Sequence, residues 1–345
     1  QLPRSPEPLM SAVFAIAFSR QVLPLVVGAF SLASFLLGYA GMFSPAFDIL
    51  AHFTAHWLVI AIMAVVASFV TRRAYALLAA GGLLAGMLPV ILAAWYANDL
   101  EVPLSATAAQ AATPVAATRI PSGSSAARRD FKVLTFNTLN PNTNLAAIWA
   151  EVQRHDADVV VMIELGPNKK ALRQRIAARY PHHRTCEASW NCAIGLFSRL
   201  PVRRFEVVGP HDDAGPKLIS AEVGVGSRSV TAVGVHILSP NHGPRANYLE
   251  LDHLAERVRR IPGPVVVAGD LNTTLWANAF DNFRRRSGLV YMGHLIPTWP
   301  TWPLPTPQLG IDHIFASPDL KLSGVGAGRP AGSDHLPLVA TVSLR

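Results

Sequence analysis

Eight polar residues fall where apolar runs of the chain end or break: Asn137, Glu164, His236, Asp270, Asn272, Asp312, Asp334 and His335. Surrounded by hydrocarbon, each would cost free energy unless paired or bound to something. A satisfied structural hydrogen bond explains any one of them, but eight at successive run ends ask for a site. Carboxylate and amide oxygens suit a hard cation, and histidines beside them suit proton transfer and charge stabilisation. The clearest stretch is Val265-Val266-Val267-Ala268-Gly269-Asp270-Leu271-Asn272. Positions two apart on an extended chain point the same way, so Asp270 and Asn272 are expected to aim at one point. Taken alone, this stretch reads equally as a plain strand-end turn. The sequence contains no Gly-x-Ser-x-Gly elbow and no Walker loop. Direct attack by metal-assisted water is the chemistry that fits.

The elements that must position these residues follow from hydrophobic periodicity. Strands are expected at 132–136, 159–163, 192–198, 217–225, 230–236, 265–270, 312–316 and 337–343. Helices are expected at 144–155, 246–259 and 277–287, with a basic helix at 168–179 that carries Lys169, Lys170, Arg173, Arg175 and Arg179. Many strands with few helices between some of them point to an α+β class, with stacked sheets flanked by helices.

The stretches Leu134-Thr135-Phe136-Asn137, Val161-Met162-Ile163-Glu164, Gly234-Val235-His236, Gly269-Asp270-Leu271-Asn272, Gly310-Ile311-Asp312-His313-Ile314 and Gly332-Ser333-Asp334-His335-Leu336-Pro337 occur in this order. Together they make 131–345 resemble the endonuclease/exonuclease/phosphatase (DNase-I-like) superfamily, and the whole chain is most similar to its membrane-anchored bacterial members. The resemblance implies a four-layered α/β sandwich, with two packed mixed β-sheets flanked by helices and the site at one edge. It implies Mg²⁺ as cofactor, with Mn²⁺ as a substitute, held by Glu164 with help from Asn137 and Asp334. Asp270 would activate or position the attacking water, and Asn272 would bind a phosphate oxygen. Asp312 would pair with His335, which stabilises charge on the phosphorus centre, and His236 would contact the phosphate or assist the leaving group.

Substrate recognition is written less clearly. Arg245 and Asn247 are candidates to touch substrate, with solvated loop positions as the competing reading. The segment 297–303, Pro-Thr-Trp-Pro-Thr-Trp-Pro, could stack a base, rest on a membrane interface or pack. The arginines at 257, 259 and 260 and at 284–286 read as surface charge. The candidate function is a phosphodiesterase of endonuclease type, with a lipid or headgroup phosphoesterase as the alternative. A catalytically inert binding domain would have no reason to keep the whole ligand set. The partners that follow are nucleic acid or a lipid headgroup as substrate, and no protein partner is evident.

Mean hydropathy is +0.29 and half the residues are hydrophobic, an excess concentrated in the first hundred. Apolar stretches at about 22–43, 51–70 and 74–96 each approach the roughly 20 residues that span a bilayer. Three transmembrane helices in a membrane region 1–96 are therefore expected, then an Ala/Thr/Ser/Pro-rich linker 97–130 and a catalytic domain 131–345. Arg72-Arg73 between the second and third stretches places that turn in the cytoplasm. The expectation is a multi-pass protein of a bacterial inner membrane with a periplasmic or extracellular catalytic domain. The domain holds 23 Lys/Arg against 17 Asp/Glu, which favours anionic partners. Cys186 and Cys192 could form a disulfide in such a compartment.

Overall fold

The computed structural model describes residues 26–70, 80, 81, 84, 130–186, 192–209, 215–291, 296–303 and 307–345. The chain divides into two compact units near Ala97, with Trp276–Asn278 grouped with the first.

In the first unit lie α1 (Val26–Met42), α2 (Pro45–Ala51) and α3 (Thr54–Val70). Among the described residues, no single helix is long and apolar enough to cross a membrane. The expected second span, about 51–70, coincides with α3 except at its start, and α2 precedes it across a bend of 55° at His52-Phe53; by length and composition the bent pair Pro45–Ala51 and Thr54–Ala67 together could span a membrane. The break is stabilised locally: Thr54 Oγ1 donates to Ala51 O at 2.7 Å and Trp57 Nε1 to Leu50 O at 2.9 Å, satisfying carbonyls that a continuous helix would use. The third expected span and the linker lie outside the described residues, apart from residues 80, 81 and 84 and Asp130, which falls within the expected linker and instead opens a strand.

The second unit holds two six-stranded mixed sheets. Its strands are β1 (Asp130–Asn137), β2 (Val159–Ile163), β3 (His182–Thr185), β4 (Ile194–Ser198), β5 (Val202–Val208), β6 (Lys217–Val225), β7 (Arg228–His236), β8 (Val265–Asp270), β9 (Val290–Tyr291), β10 (Asp312–Ala316), β11 (Leu320–Ala327) and β12 (Leu338–Leu344). The first sheet runs β11-β12-β1-β2-β4-β3 and the second β5-β6-β7-β8-β10-β9. In each sheet one central pair is parallel, β1 with β2 and β7 with β8, and the other pairs are antiparallel. The helices are α4 (Leu145–His155), α5 (Lys170–Arg179), α6 (Pro244–Arg259) and α7 (Asn278–Ser287).

Continuous apolar runs in the central strands follow from burial on both faces. In β2, Val159, Val161 and Ile163 face the inter-sheet core with Ile219, Ala232 and Val266. Val160 and Met162 face the other way, against Ile148 and Val152 of α4 and Leu172 and Ile176 of α5. Helix α4 starts where the Asn144 side chain accepts from Ala147 N and stops at Asp156 in a left-handed conformation.

The four strands with no sequence signal, β3, β5, β9 and β11, are the four edges of the two sheets. Edge strands carry charge, brevity or bulges that prevent pairing with other chains, and these same features erase the apolar pattern. β3 is His-His-Arg-Thr, β5 carries Arg203, Arg204 and Glu206, β9 has two residues, and β11 changes register between Ser323 and Gly326. Cys186 and Cys192 are disulfide-bonded, with Cα atoms 5.5 Å apart.

Candidate active site

Strand register brings the polar residues to one edge. Asn137 pairs with Ile163 in the parallel β1/β2 ladder, so Glu164 emerges beside it. His236 pairs with Asp270 across β7/β8, and Asp270 with Asp312 across β8/β10. Three chemical residues therefore stand abreast in the second sheet. Gly269 is required by this closeness, because a Cβ there would run into the Val235 carbonyl oxygen.

Asn137 links the sheets. Its Nδ2 donates to Glu164 Oε1 at 3.1 Å and to Asp270 Oδ2 at 3.0 Å, while its Oδ1 accepts from Leu139 N at 3.1 Å. The other Glu164 oxygen accepts from Asn140 N at 2.6 Å. Glu164 and Leu139 have φ of 55° and 57°, a left-handed conformation that costs about 1–3 kcal/mol for a non-glycine residue. Asn272 is also left-handed, with φ 48°. The extended alternation expected for Asp270 and Asn272 therefore stops at Asp270, and a turn brings the two together: Asn272 N donates to Asp270 Oδ1 at 2.9 Å and Asn272 Nδ2 to Ile237 O at 2.9 Å.

His335 Nδ1 lies 2.8 Å from Asp312 Oδ2, and its Nε2 is 3.8 Å from Asp270 Oδ2. His236 Nε2 is also 3.8 Å from Asp270 Oδ2. Both separations are too long for a direct hydrogen bond. Burial pushes the Asp270 carboxyl above the usual carboxylate range, opposed by the His335 charge and reinforced by the Asp312 charge. Burial also works against a charged His335, but the Asp312 and Asp270 charges and the Asp312 hydrogen bond outweigh it and raise its pKa. The site therefore couples a carboxyl that holds its proton more readily than usual to a ring that keeps its own.

Asp334 sits on a loop fastened to β1, since Ser333 Oγ donates to Asn137 O at 2.7 Å. Its Oδ2 accepts from Trp299 Nε1 at 2.9 Å. Its Oδ1 and Asp312 Oδ1 are buried without a hydrogen-bond partner. Such orphaned carboxylate oxygens suit a cation. Asp270, Asp312 and His335 also offer ligand atoms within 4.8 Å of one another, but His335 Nδ1 and its proton already engage Asp312. The oxygens of Glu164 and Asp334 compete with no such proton, so they are the better donors for a hard ion.

Arg245 is exposed in the first turn of α6 and is not among the hydrogen-bonded site residues. Asn247 is buried and its Nδ2 donates to Leu238 O at 2.7 Å, a structural role. Within 297–303, Trp299 points its indole N–H at Asp334, whereas Trp302 is 65% exposed. Two residues given no role by sequence reasoning also support the site. His313 Nε2 lies 2.7 Å from Thr273 O and pins the turn after Asn272. Lys169, assigned to the basic helix, is wholly buried beneath Glu164. Only its place five residues after Glu164 set it apart from the neighbouring surface charges.

The profile of the Endonuclease/Exonuclease/phosphatase family matches residues 134–335. The chain belongs to this family. It is a phosphoric ester hydrolase, and enzymes of the family are metal-dependent. Among solved structures, D. rerio TDP2 complexed with a single-strand DNA product is similar at 17% identity and TM-score 0.53, covering 62% of this chain and 99% of that one. The endonuclease/exonuclease/phosphatase of Beutenbergia cavernae DSM 12333 is similar at 21% identity and TM-score 0.51, covering 63% and 72%. Sphingomyelinase C from Streptomyces griseocarneus matches at 18% identity and TM-score 0.47, covering 61% and 99%. At these identities the likeness to the first two shows the fold alone. No curated protein matches the chain.

Proposed function

We propose that this hydrolase is a Mg²⁺-dependent phosphodiesterase of endonuclease type, anchored to a bacterial inner membrane through residues 1–96. A linker, 97–130, would lead to a catalytic domain, 131–345, on the periplasmic or extracellular side. The observation that carries the chemistry is Asp270 Oδ2, held by Asn137 and set 3.8 Å from both His236 Nε2 and His335 Nε2.

Glu164 and Asp334 would hold the metal, and Asn137 orients the Glu164 carboxylate toward it. When bound, the ion supplies Lewis-acid neutralisation of phosphate charge and lowers the pKa of water. Asp270, its pKa raised by burial, accepts the proton of the attacking water, a role served best by a group whose pKa lies near the working pH. His335, kept protonated by Asp312 and Asp270, donates to a non-bridging oxygen as negative charge builds on it. His236, which keeps 30% of its side chain exposed, would contact the phosphate or assist the leaving group. Asn272, fixed by Ile237 O, positions the phosphate.

The test is nicking of supercoiled plasmid by the full chain purified in detergent, with Mg²⁺, with EDTA, and with Asp270→Ala as the contamination control. Cleavage that needs both Mg²⁺ and Asp270 supports the nuclease reading. Absence of cleavage, with Mg²⁺-dependent release of headgroups from phospholipid vesicles, would move the assignment to a lipid phosphoesterase. That alternative draws on the apolar helices α1 and α3.

A further inference from the structure

Lys169 is wholly buried, although it sits at the end of a short 3₁₀ turn, Pro167–Lys169, on the way into a solvent-facing basic helix. Its ammonium donates to three backbone carbonyls: Leu139 O at 2.9 Å, Asn140 O at 2.8 Å and Glu164 O at 3.2 Å. An ammonium has three N–H groups and no acceptor, so this cage uses its full capacity. Two of the three carbonyls belong to the left-handed residues Leu139 and Glu164. The third belongs to Asn140, whose N–H grips Glu164 Oε2 at 2.6 Å. Asn168 adds to the same clamp, with Nδ2 donating to Asn140 O at 2.6 Å.

We propose that Lys169 is a positioning residue that sets the site's affinity for its divalent cation, by locking the two strained turns that aim the Glu164 carboxylate. The inference rests on the reading of Glu164 as a metal ligand. Without the ammonium, Leu139 O, Asn140 O and Glu164 O would each keep one donor, from Asn142 N, Asn168 Nδ2 and Thr138 Oγ1 respectively, but nothing would tie the three to one point, and the Leu139–Asn140 turn would relax away from Glu164. A purely structural lysine would lower stability without changing metal binding. A lysine acting only as a nearby positive charge would weaken the ion by repulsion, so its removal would tighten binding. The direction of the change separates these roles.

The experiment is calorimetric titration of the full chain in detergent with Mn²⁺ alone, for wild type, Glu164→Gln, Lys169→Met and Asn168→Ala. Far-UV circular dichroism and a thermal melt check that each is folded. Supporting residues behind metal ligands are worth roughly 10–100-fold in affinity. Lys169→Met is expected to raise the Mn²⁺ Kd by that factor at unchanged stoichiometry, and Asn168→Ala by about threefold, in line with one lost hydrogen bond. If Lys169→Met does not fold, the exposed Asn168→Ala decides. An unchanged or lower Kd in the deciding variant overturns the inference while leaving the metal site standing. Failure of wild type to bind Mn²⁺, or a Glu164→Gln curve identical to wild type, instead overturns the metal reading, and the inference with it.

Discussion

The Asn137 amide donates to Asp270 Oδ2 at 3.0 Å, joining the end of β1 in one sheet to the end of β8 in the other. The same nitrogen donates to Glu164 Oε1, so one amide separates and orients two carboxylates. Asn137→Ala would leave both acceptors in a dry interface without that donor. Leaving buried groups unsatisfied costs about 1–3 kcal/mol, which a urea melt would register. Turnover should fall by roughly 10–100-fold, the usual scale for a residue that supports metal ligands. Wild-type stability and rate in this variant would show that the amide is incidental.

Asp312 is predicted to act through His335. Replacing it with Asn keeps the shape but removes the charge that raises the His335 pKa. General-acid and electrostatic roles of this kind contribute on the order of 10²–10⁴-fold, so kcat should drop within that range while KM for substrate changes little. The alkaline limb of the rate profile should also move to lower pH, because the imidazolium is held less firmly. A variant with a slowed rate but an unshifted limb would assign Asp312 a packing role.

Trp299 is read as a second support for the ion through Asp334. Trp299→Phe keeps the ring and deletes the N–H that donates to Asp334 Oδ2 at 2.9 Å. The Mg²⁺ concentration for half-maximal activity should rise about tenfold, with kcat at saturating Mg²⁺ near wild type. Loss of kcat that excess metal does not restore would contradict the assignment.

His313 gives a stability signature in pH. It is buried among Phe280, Tyr291 and Phe315, and burial lowers its pKa to about 4, against the favourable Thr273 carbonyl. Its Nδ1 has no partner, so a second proton would be stranded. Between that value and the unfolded pKa near 6.5, the unfolded chain binds the extra proton and the native chain does not. Stability therefore rises with pH across the window and is lost on acidification, by roughly 3 kcal/mol for this one group. His313→Gln can keep a donor toward Thr273 O without titrating. Denaturant melts from pH 7 to 4.5 should show a smaller loss in the variant, and parallel curves would exclude His313 as the source.

Much of this molecule was determined by local sequence. The central strands could be read because burial on both faces makes their apolar runs continuous, as in Val159–Ile163 and Val265–Asp270. The candidate residues could be read because a polar side chain at the end of such a run needs a reason to be there. The pairing of Cys186 with Cys192 was open to sequence and is present in the structure. The edge strands were hidden, since the charges and bulges that keep an edge from aggregating also remove its pattern. The break between α2 and α3 was hidden too, because hydropathy is blind to where Thr54 and Trp57 turn their donors. What only the tertiary structure decided is which polar groups answer one another. Asn137 meets Asp270 across 133 positions of chain, Trp299 meets Asp334, and Lys169 leaves a run of surface charges to occupy a cage of three carbonyls. Such contacts depend on how two sheets stack and how left-handed turns aim their carbonyls, and local periodicity carries no trace of either.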